Sequence, residues 1–281
     1  MKKTITSAFA VAALLAAGFG FTACSSKSVQ EVKLGVTGAV YDELWAPAKK
    51  ALKEQGIELK IVQFSDYVTP NNALANGEID LNGFQHRIFF QNEIDTKGYK
   101  LSLVGNTFLT PLNLYSVKIK SVSELKQGSV VAIPNDVTNG GRAIKVLEAA
   151  GLIKLNPSAG FNPGIEDIVE NPKGIVIKQL AANTIPASLN DVDAAAINGN
   201  YAIDFEINPD TAIFKDNLTD KEYWNLIAAR TEDLSDKKKV AIFDKIVKAY
   251  QNPDTEKLYN EIFHGYYIKA GWDIDELKGY K

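Results

Sequence analysis

Apolar positions along this chain fall into short runs whose period keeps changing. Residues 32–36 read as an apolar strand that ends in a glycine-bearing turn. Residues 41–54 then carry Leu44, Ala48, Ala51 and Leu52 at helical spacing, stopped by Gln55-Gly56. Residues 59–64 return as a strand. A brief helix over 71–76 is closed by Gly77, and a strand over 79–84 follows. A helix over 88–97 is closed by Gly98, before strands over 101–104 and 112–117. This βαβαβ rhythm predicts a mainly parallel sheet covered by helices. The rhythm then restarts, with a strand over 129–133 and a helix over 140–150 closed by Gly151. A strand over 174–180, a short helix over 185–189 and a buried strand over 194–197 complete the second unit. A strand over 224–230 and amphipathic helices over 236–250 and 255–270 end the chain. Two successive α/β units of similar size predict two lobes. Open α/β sheets bind ligands at the carboxyl ends of their strands, so a cleft between the lobes is the expected site. Closure of that cleft is the expected motion.

The first thirty residues break this pattern. Lys2 and Lys3 precede an apolar run from Ile5 to about Phe21, which ends in Phe21-Thr-Ala-Cys24. A positive start, a short apolar stretch and small residues before a cleavage point make a secretory signal over 1–23. Cys24 is the single cysteine, so it forms no internal disulfide. Its position resembles a bacterial lipobox, with Phe21 where leucine is usual, and Cys24 is the expected lipidation residue. The alternative is an ordinary signal peptide with a chance cysteine. Acyl chains anchor through about 0.8 kcal/mol per buried methylene. Residues 24–31 are small and polar, and read as a tether. The expected location is the cell envelope, lipid-anchored and outside the cytoplasm.

Charge and composition then narrow the chemistry. Losing residues 1–23 removes two lysines and takes the formal charge from −3 to −5. That acidity gives no support for nucleic-acid binding. No second apolar run approaches spanning length, so the lipid is the only expected membrane attachment. An enzyme is not expected: no Gly-x-Ser-x-Gly elbow surrounds any serine, and no Gly-rich loop ends in Gly-Lys-Ser/Thr. Only His86 and His264 are available to a triad. Two histidines and no free cysteine make a poor transition-metal set, so neither a metal nor a cofactor is expected.

Several residues sit where cleft ligands are held. Thr138-Asn-Gly-Gly-Arg142 joins a predicted strand to a helix, with Thr138 as the expected N-cap. The N–H groups that follow read as an anion site. Arg142, in the first helical turn, suits a bidentate carboxylate. The alternative is an ion pair with Asp136 or Glu148. Asn139 beside it reads as a ligand contact or a simple cap. Asn198 ends a buried strand, and Asn200 and Tyr201 follow as weaker candidates. Phe84 and His86 share one face by alternation and, with Tyr67, form an expected aromatic slot with a neutral His86. For Phe84 and Tyr67 the alternative is core packing, which is also the default for the second-tier aromatics Phe108 and Tyr115. Tyr41 and Trp45 follow the first strand toward the cleft.

Longer motifs carry a resemblance. Phe64-Ser-Asp-Tyr-Val-Thr-Pro-Asn71 is followed by Gly77-Glu-Ile-Asp-Leu-Asn-Gly-Phe-Gln-His86. Gly105-Asn-Thr-Phe108, Ile133-Pro-Asn-Asp-Val-Thr-Asn-Gly-Gly-Arg142 and Asp193-Ala-Ala-Ala-Ile-Asn-Gly-Asn-Tyr-Ala202 come after them in order. Together, from about 32 to 272, they resemble the NlpA/MetQ lipoproteins. The resemblance implies the two-lobed periplasmic-binding-protein fold, type II-like. Lobe 1 would hold 32–118 and 206–281, and lobe 2 would hold 119–205. It implies capture of free methionine, in the L form or also the D form, for an ABC permease, with Asn198 as a ligand contact; a monomer is the default expectation. Thioether sulfur suits an aromatic slot. The runner-up ligand is a Met-containing dipeptide or another small apolar amino acid.

Overall fold

The computed structural model describes residues 29–281, apart from 218, 264 and 265. The signal segment, Cys24, the first residues of the tether and His264 lie outside the described residues. In chain order the first unit comprises β1 (Gln30–Thr37), α1 (Val40–Leu44), α2 (Ala46–Glu54), β2 (Ile57–Phe64), α3 (Thr69–Ala75), β3 (Leu81–Asn82), α4 (Arg87–Lys97), β4 (Leu101–Asn106) and β5 (Phe108–Leu109). The middle comprises β6 (Leu112–Tyr115), β7 (Val130–Pro134), α5 (Val137–Ala149), β8 (Lys154–Leu155), β9 (Ile168–Glu170), β10 (Val176–Leu180), β11 (Ala194–Asn198) and α6 (Gly199–Asp204). The chain ends with β12 (Leu226–Arg230), α7 (Lys237–Tyr250), α8 (Pro253–Glu261) and β13 (Ile268–Lys269).

Two main sheets organise these elements. One has the order β2-β1-β3-β12-β4, the other β10-β7-β11-β6. Each sheet has its own core. Leu34, Val36, Leu52, Ile227 and Phe243 meet in the first, and Leu114, Ile133, Leu147 and Ala196 in the second. The sheets are mainly parallel, as expected, with one reversed strand in each. In the first, only β12 runs against its neighbours; in the second, only β6 does. Both reversed strands are the ones the chain enters directly after crossing between sheets. The other strands point their carboxyl ends at the cleft. A strand that starts from the cleft must therefore run the opposite way.

The crossings lie away from the expected boundaries of 118 and 206. β6 already pairs with β11, so the outward crossing precedes Leu112. On the return, Phe214 still bridges to Leu114, while Asn225 bridges to His86. That crossing therefore falls between 214 and 225. Sequence rhythm marks strands and helices but not which sheet a strand joins.

Other corrections have local causes. Gln30 and Glu31, read as tether, pair with Ile57 and Glu58 as the start of β1. The helix expected over 41–54 is two helices that meet at Trp45, just before Pro47. A proline lacks the N–H that a continuous helix needs beyond its first turn. The strand expected over 79–84 shrinks to Leu81–Asn82. The helix expected over 255–270 stops at Glu261, and Ile268–Lys269 pairs with β5 instead. The helix expected over 185–189 is a pair of tight 3₁₀ turns.

Candidate functional site

A cavity lies between the two sheets. Tyr41, Tyr67, Phe84, Gln85, His86 and Phe89 line it from the first lobe. Asn139, Arg142, Asn198, Gly199 and Asn200 line it from the second, and Thr110, Pro111 and Asn225 from the crossings. Nearly every one of these follows a strand's carboxyl end.

The first lobe supplies an aromatic wall. Asp66 accepts from the N–H groups of Val68 and Thr69 and from the Thr69 hydroxyl, which fixes the turn bearing Tyr67. The Tyr67 ring stacks on Phe84 with centroids 5.9 Å apart, and Phe89 meets both rings edge-on. Tyr41 is buried and donates its hydroxyl to the Phe84 carbonyl at 3.2 Å. Below the wall, Asn71, Asn82 and Gln85 join their carboxamides in a closed buried network at 2.7–3.0 Å. These bonds satisfy all three groups and hold the backbone that carries Phe84 and His86.

The second lobe supplies a polar edge whose wiring differs from expectation. Asp136, not Thr138, caps α5: its carboxylate accepts from the Asn139 N–H at 2.9 Å and from the Thr138 hydroxyl at 3.0 Å. The expected anion site at this helix start is therefore occupied by the protein's own carboxylate. Burial raises the Asp136 carboxyl above its ordinary value, while these hydrogen bonds pull it down. Gly140 and Gly141 serve close packing. A Cβ on Gly140 would stand 2.8 Å from the Pro134 carbonyl oxygen, and one on Gly141 2.9 Å from the Asn162 backbone.

Counting from Asp136, Arg142 lies in the second helical turn rather than the first. Its Nη2 sits 2.6 Å from Asp216, with the two side chains 3% and 0% exposed. The same nitrogen donates to the Thr110 carbonyl at 3.1 Å, and the guanidinium lies 4.2 Å over the Tyr223 ring. Asp216 is thus the ion-pair partner, where Asp136 or Glu148 had been the alternatives. Glu148 instead accepts from the Leu155 N–H.

Asn139 is a hub. Its Nδ2 donates to Asp136, and its Oδ1 takes Asn198 Nδ2 at 2.8 Å and His86 Nε2 at 3.2 Å. Its hydrogen bonds are used within the protein, so it organises its neighbours. His86 Nδ1 accepts from the Phe89 N–H at 3.1 Å as the N-cap of α4. The proton of the neutral ring therefore sits on Nε2, facing Asn139. Burial, and secondly the Arg142 charge, push His86 down to about 3. It is neutral at physiological pH.

Three buried polar atoms on the cavity-lining residues have no hydrogen-bond partner among the described residues: Arg142 Nε, Asn198 Oδ1 and Thr110 Oγ1. Such orphans are uncommon in interiors and each calls for a reason. One is a cationic donor, one an acceptor, and one can do either.

A family model described as NlpA lipoprotein matches residues 32–271. The chain belongs to the NlpA lipoprotein family. The D-methionine-binding lipoprotein MetQ of Escherichia coli (strain K12) is 40% identical over 273 residues, covering 94% of this chain and 97% of the relative. A nutrient binding protein from Burkholderia cenocepacia, solved bound to methionine, superposes with a TM-score of 0.80 at 38% identity, covering 85% of this chain and 100% of that one. The substrate binding protein of a methionine transporter from Streptococcus pneumoniae gives 0.81 at 32% identity, over 86% and 96% of the two chains.

In this member of the family the cavity brings together Tyr67, Phe84, His86, Asn139, Arg142 and Asn198, with Tyr41 and Asn200. Phe108 and Tyr115 do not line it. Phe108 packs on Tyr41, Tyr259 and Tyr267, and the Tyr115 hydroxyl pairs with Tyr266. Trp45 packs on Tyr250 in the core. Gln85, Phe89, Thr110, Pro111, Leu112, Gly199 and Asn225 are additions to the expected set. Proximity to His86 in the sequence signals Gln85 and Phe89. Thr110 and Asn225 lie at crossings, which periodicity does not reveal. Gly199 has no room for a side chain, since a Cβ would strike the Thr110 hydroxyl.

Proposed function

We propose that this chain is an extracytoplasmic solute-binding lipoprotein that captures free methionine and hands it to an ABC importer. It is a binding protein, as its relatives' names state of them. The reading extends to anchoring through Cys24, location at the cell envelope and action as a monomer. Among the described residues no helix is long and apolar enough to cross a membrane.

One observation carries the ligand assignment. Orphaned Arg142 Nε, Asn198 Oδ1 and Thr110 Oγ1 belong to residues that line one cavity with the Tyr67–Phe84–Phe89 wall. An amino-acid head group offers a carboxylate to the guanidinium edge and an ammonium to the carboxamide oxygen. A thioether side chain suits polarisable rings. Neutral His86 places no second positive charge against the ammonium.

Calorimetry on refolded, ligand-stripped protein tests this reading. Methionine is expected to bind with micromolar or better affinity. Absence of heat and of thermal stabilisation with methionine, alongside a response to a Met-containing dipeptide, would replace it with the dipeptide reading.

A further inference from the structure

The helix α6 is tied to both lobes. Its Tyr201 and Ala202 pack with Ala195, Ile197 and Leu189 in the second lobe. Its polar groups reach the first lobe. Asn200 Nδ2 donates to the Thr37 carbonyl at 3.1 Å, Asn200 Oδ1 accepts from the Tyr67 hydroxyl at 2.6 Å, and the Tyr201 hydroxyl donates to the Ser65 carbonyl at 3.1 Å. At its far end Asp204 accepts from the Val40 N–H at 2.8 Å and the Ala39 N–H at 3.2 Å.

Those two N–H groups open α1, whose own N-cap residue, Ala39, offers no side-chain acceptor. The first four N–H groups of any helix lack internal partners. Asp204 thus supplies, from the opposite lobe and 165 residues away, the carboxylate that a capping residue normally provides. The contact needs Gly38. Its φ of +100° suits glycine, and a Cβ there would strike Asp204 Oδ2. Burial raises the Asp204 carboxyl above its ordinary value, and the hydrogen bonds from Val40 and Ala39 pull it down. Asp204 itself does not line the cavity, whereas Gly199 and Asn200 at the start of the same helix do.

We infer that Asp204 is a positioning residue for ligand retention: it caps α1 across the shut cleft, holds α6 over the bound solute, and sets how fast that solute leaves. The inference rests on the solute-binding reading and adds to it the residue that governs release.

The test uses the full chain as wild type, Asp204→Ala, Asp204→Asn and Gly38→Ala. Radiolabelled methionine release is followed by rapid filtration, and amide exchange is followed at Ala39 and Val40. Loss of charge-assisted hydrogen bonds predicts about tenfold faster release in D204A with an unchanged association rate. D204N keeps one acceptor oxygen and is expected to fall between D204A and wild type. Gly38→Ala should approach D204A from the other side of the contact. Exchange at Ala39 and Val40 should quicken in D204A with or without ligand, while exchange elsewhere in α5 and β7 is unchanged. Unchanged release from a binding-competent D204A overturns the inference, as does a slower association rate or a general loss of protection, which mark a merely structural role. If wild type binds no methionine, the proposed ligand fails, and exchange at Ala39 and Val40 alone decides the cap.

Discussion

The two walls of the cavity are built on opposite plans. The first lobe presents rings whose polar atoms are already spent on protein partners: the Tyr67 hydroxyl on Asn200 and His86 Nε2 on Asn139. Tyr41 spends its hydroxyl on the Phe84 carbonyl, and Gln85 spends its carboxamide on Asn71 and Asn82. The second lobe presents polar groups that are wired on one side and open on the other. Asn198 gives its Nδ2 to Asn139 and keeps Oδ1; Arg142 gives Nη2 to Asp216 and keeps Nε. Under the proposed function, the contrast gives the ligand's apolar end to one lobe and its head group to the other. It also explains the need for closure, because neither wall alone encloses a small amphiphile.

Breaking the polar wall should cost most. Arg142→Ala leaves Asp216 as a buried charge without its guanidinium, which costs about 3–5 kcal/mol of stability. Urea unfolding of the ligand-free chain reads this directly, and a loss under 1 kcal/mol would deny that the pair matters. Methionine affinity should fall as well. Asn198→Ala separates the two effects. It removes the open acceptor while Asn139 keeps His86, so affinity should drop by about 1.5–3 kcal/mol with little change in the unfolding midpoint. Equal affinity by calorimetry would take Asn198 out of the site.

His86 gives a pH test. Its folded pKa is depressed, from 6.5 to about 3, so the unfolded chain binds a proton that the native ring refuses. Stability linked to His86 is therefore full above pH 6.5. It falls by about 1.4 kcal/mol per pH unit as the pH drops toward 3. His86→Gln should flatten that part of the profile relative to wild type, and parallel profiles would place the ring's titration elsewhere. The smallest expected effect is in the aromatic wall. Tyr67→Phe keeps the stack on Phe84 but loses the cross-cleft bond to Asn200, worth about 0.5–1.5 kcal/mol. Calorimetry with methionine should show that modest loss.

The same contrast marks what the sequence made legible. Apolar alternation and helical spacing located most strands and helices of both sheets. Tyr67, Phe84, His86, Asn139, Arg142 and Asn198 were legible as cavity-lining residues because each lies at or beyond a strand's carboxyl end. What stayed hidden depends on contacts between distant residues. Nothing near Arg142 announces Asp216. The N-cap went to Asp136 because a carboxylate and a threonine two positions apart offer the same chemistry, and only the chain path selects between them. Phe108 and Tyr115 were second-tier lining candidates with core packing as their default, and their neighbours bear out that default. The tail after Glu261 carries aromatic residues, Phe263, Tyr266 and Tyr267, whose rings meet the core without a continuing helix.

The division of labour between the walls is tested most directly by titrating ligand-stripped protein with methionine and with its decarboxylated amine in the same calorimeter. Methionine is expected to bind with micromolar or better affinity. The amine keeps the thioether and the ammonium but has nothing to offer Arg142, and should bind at least 100-fold more weakly, about 2.7 kcal/mol. Equal affinities, or no heat from methionine, would contradict the account.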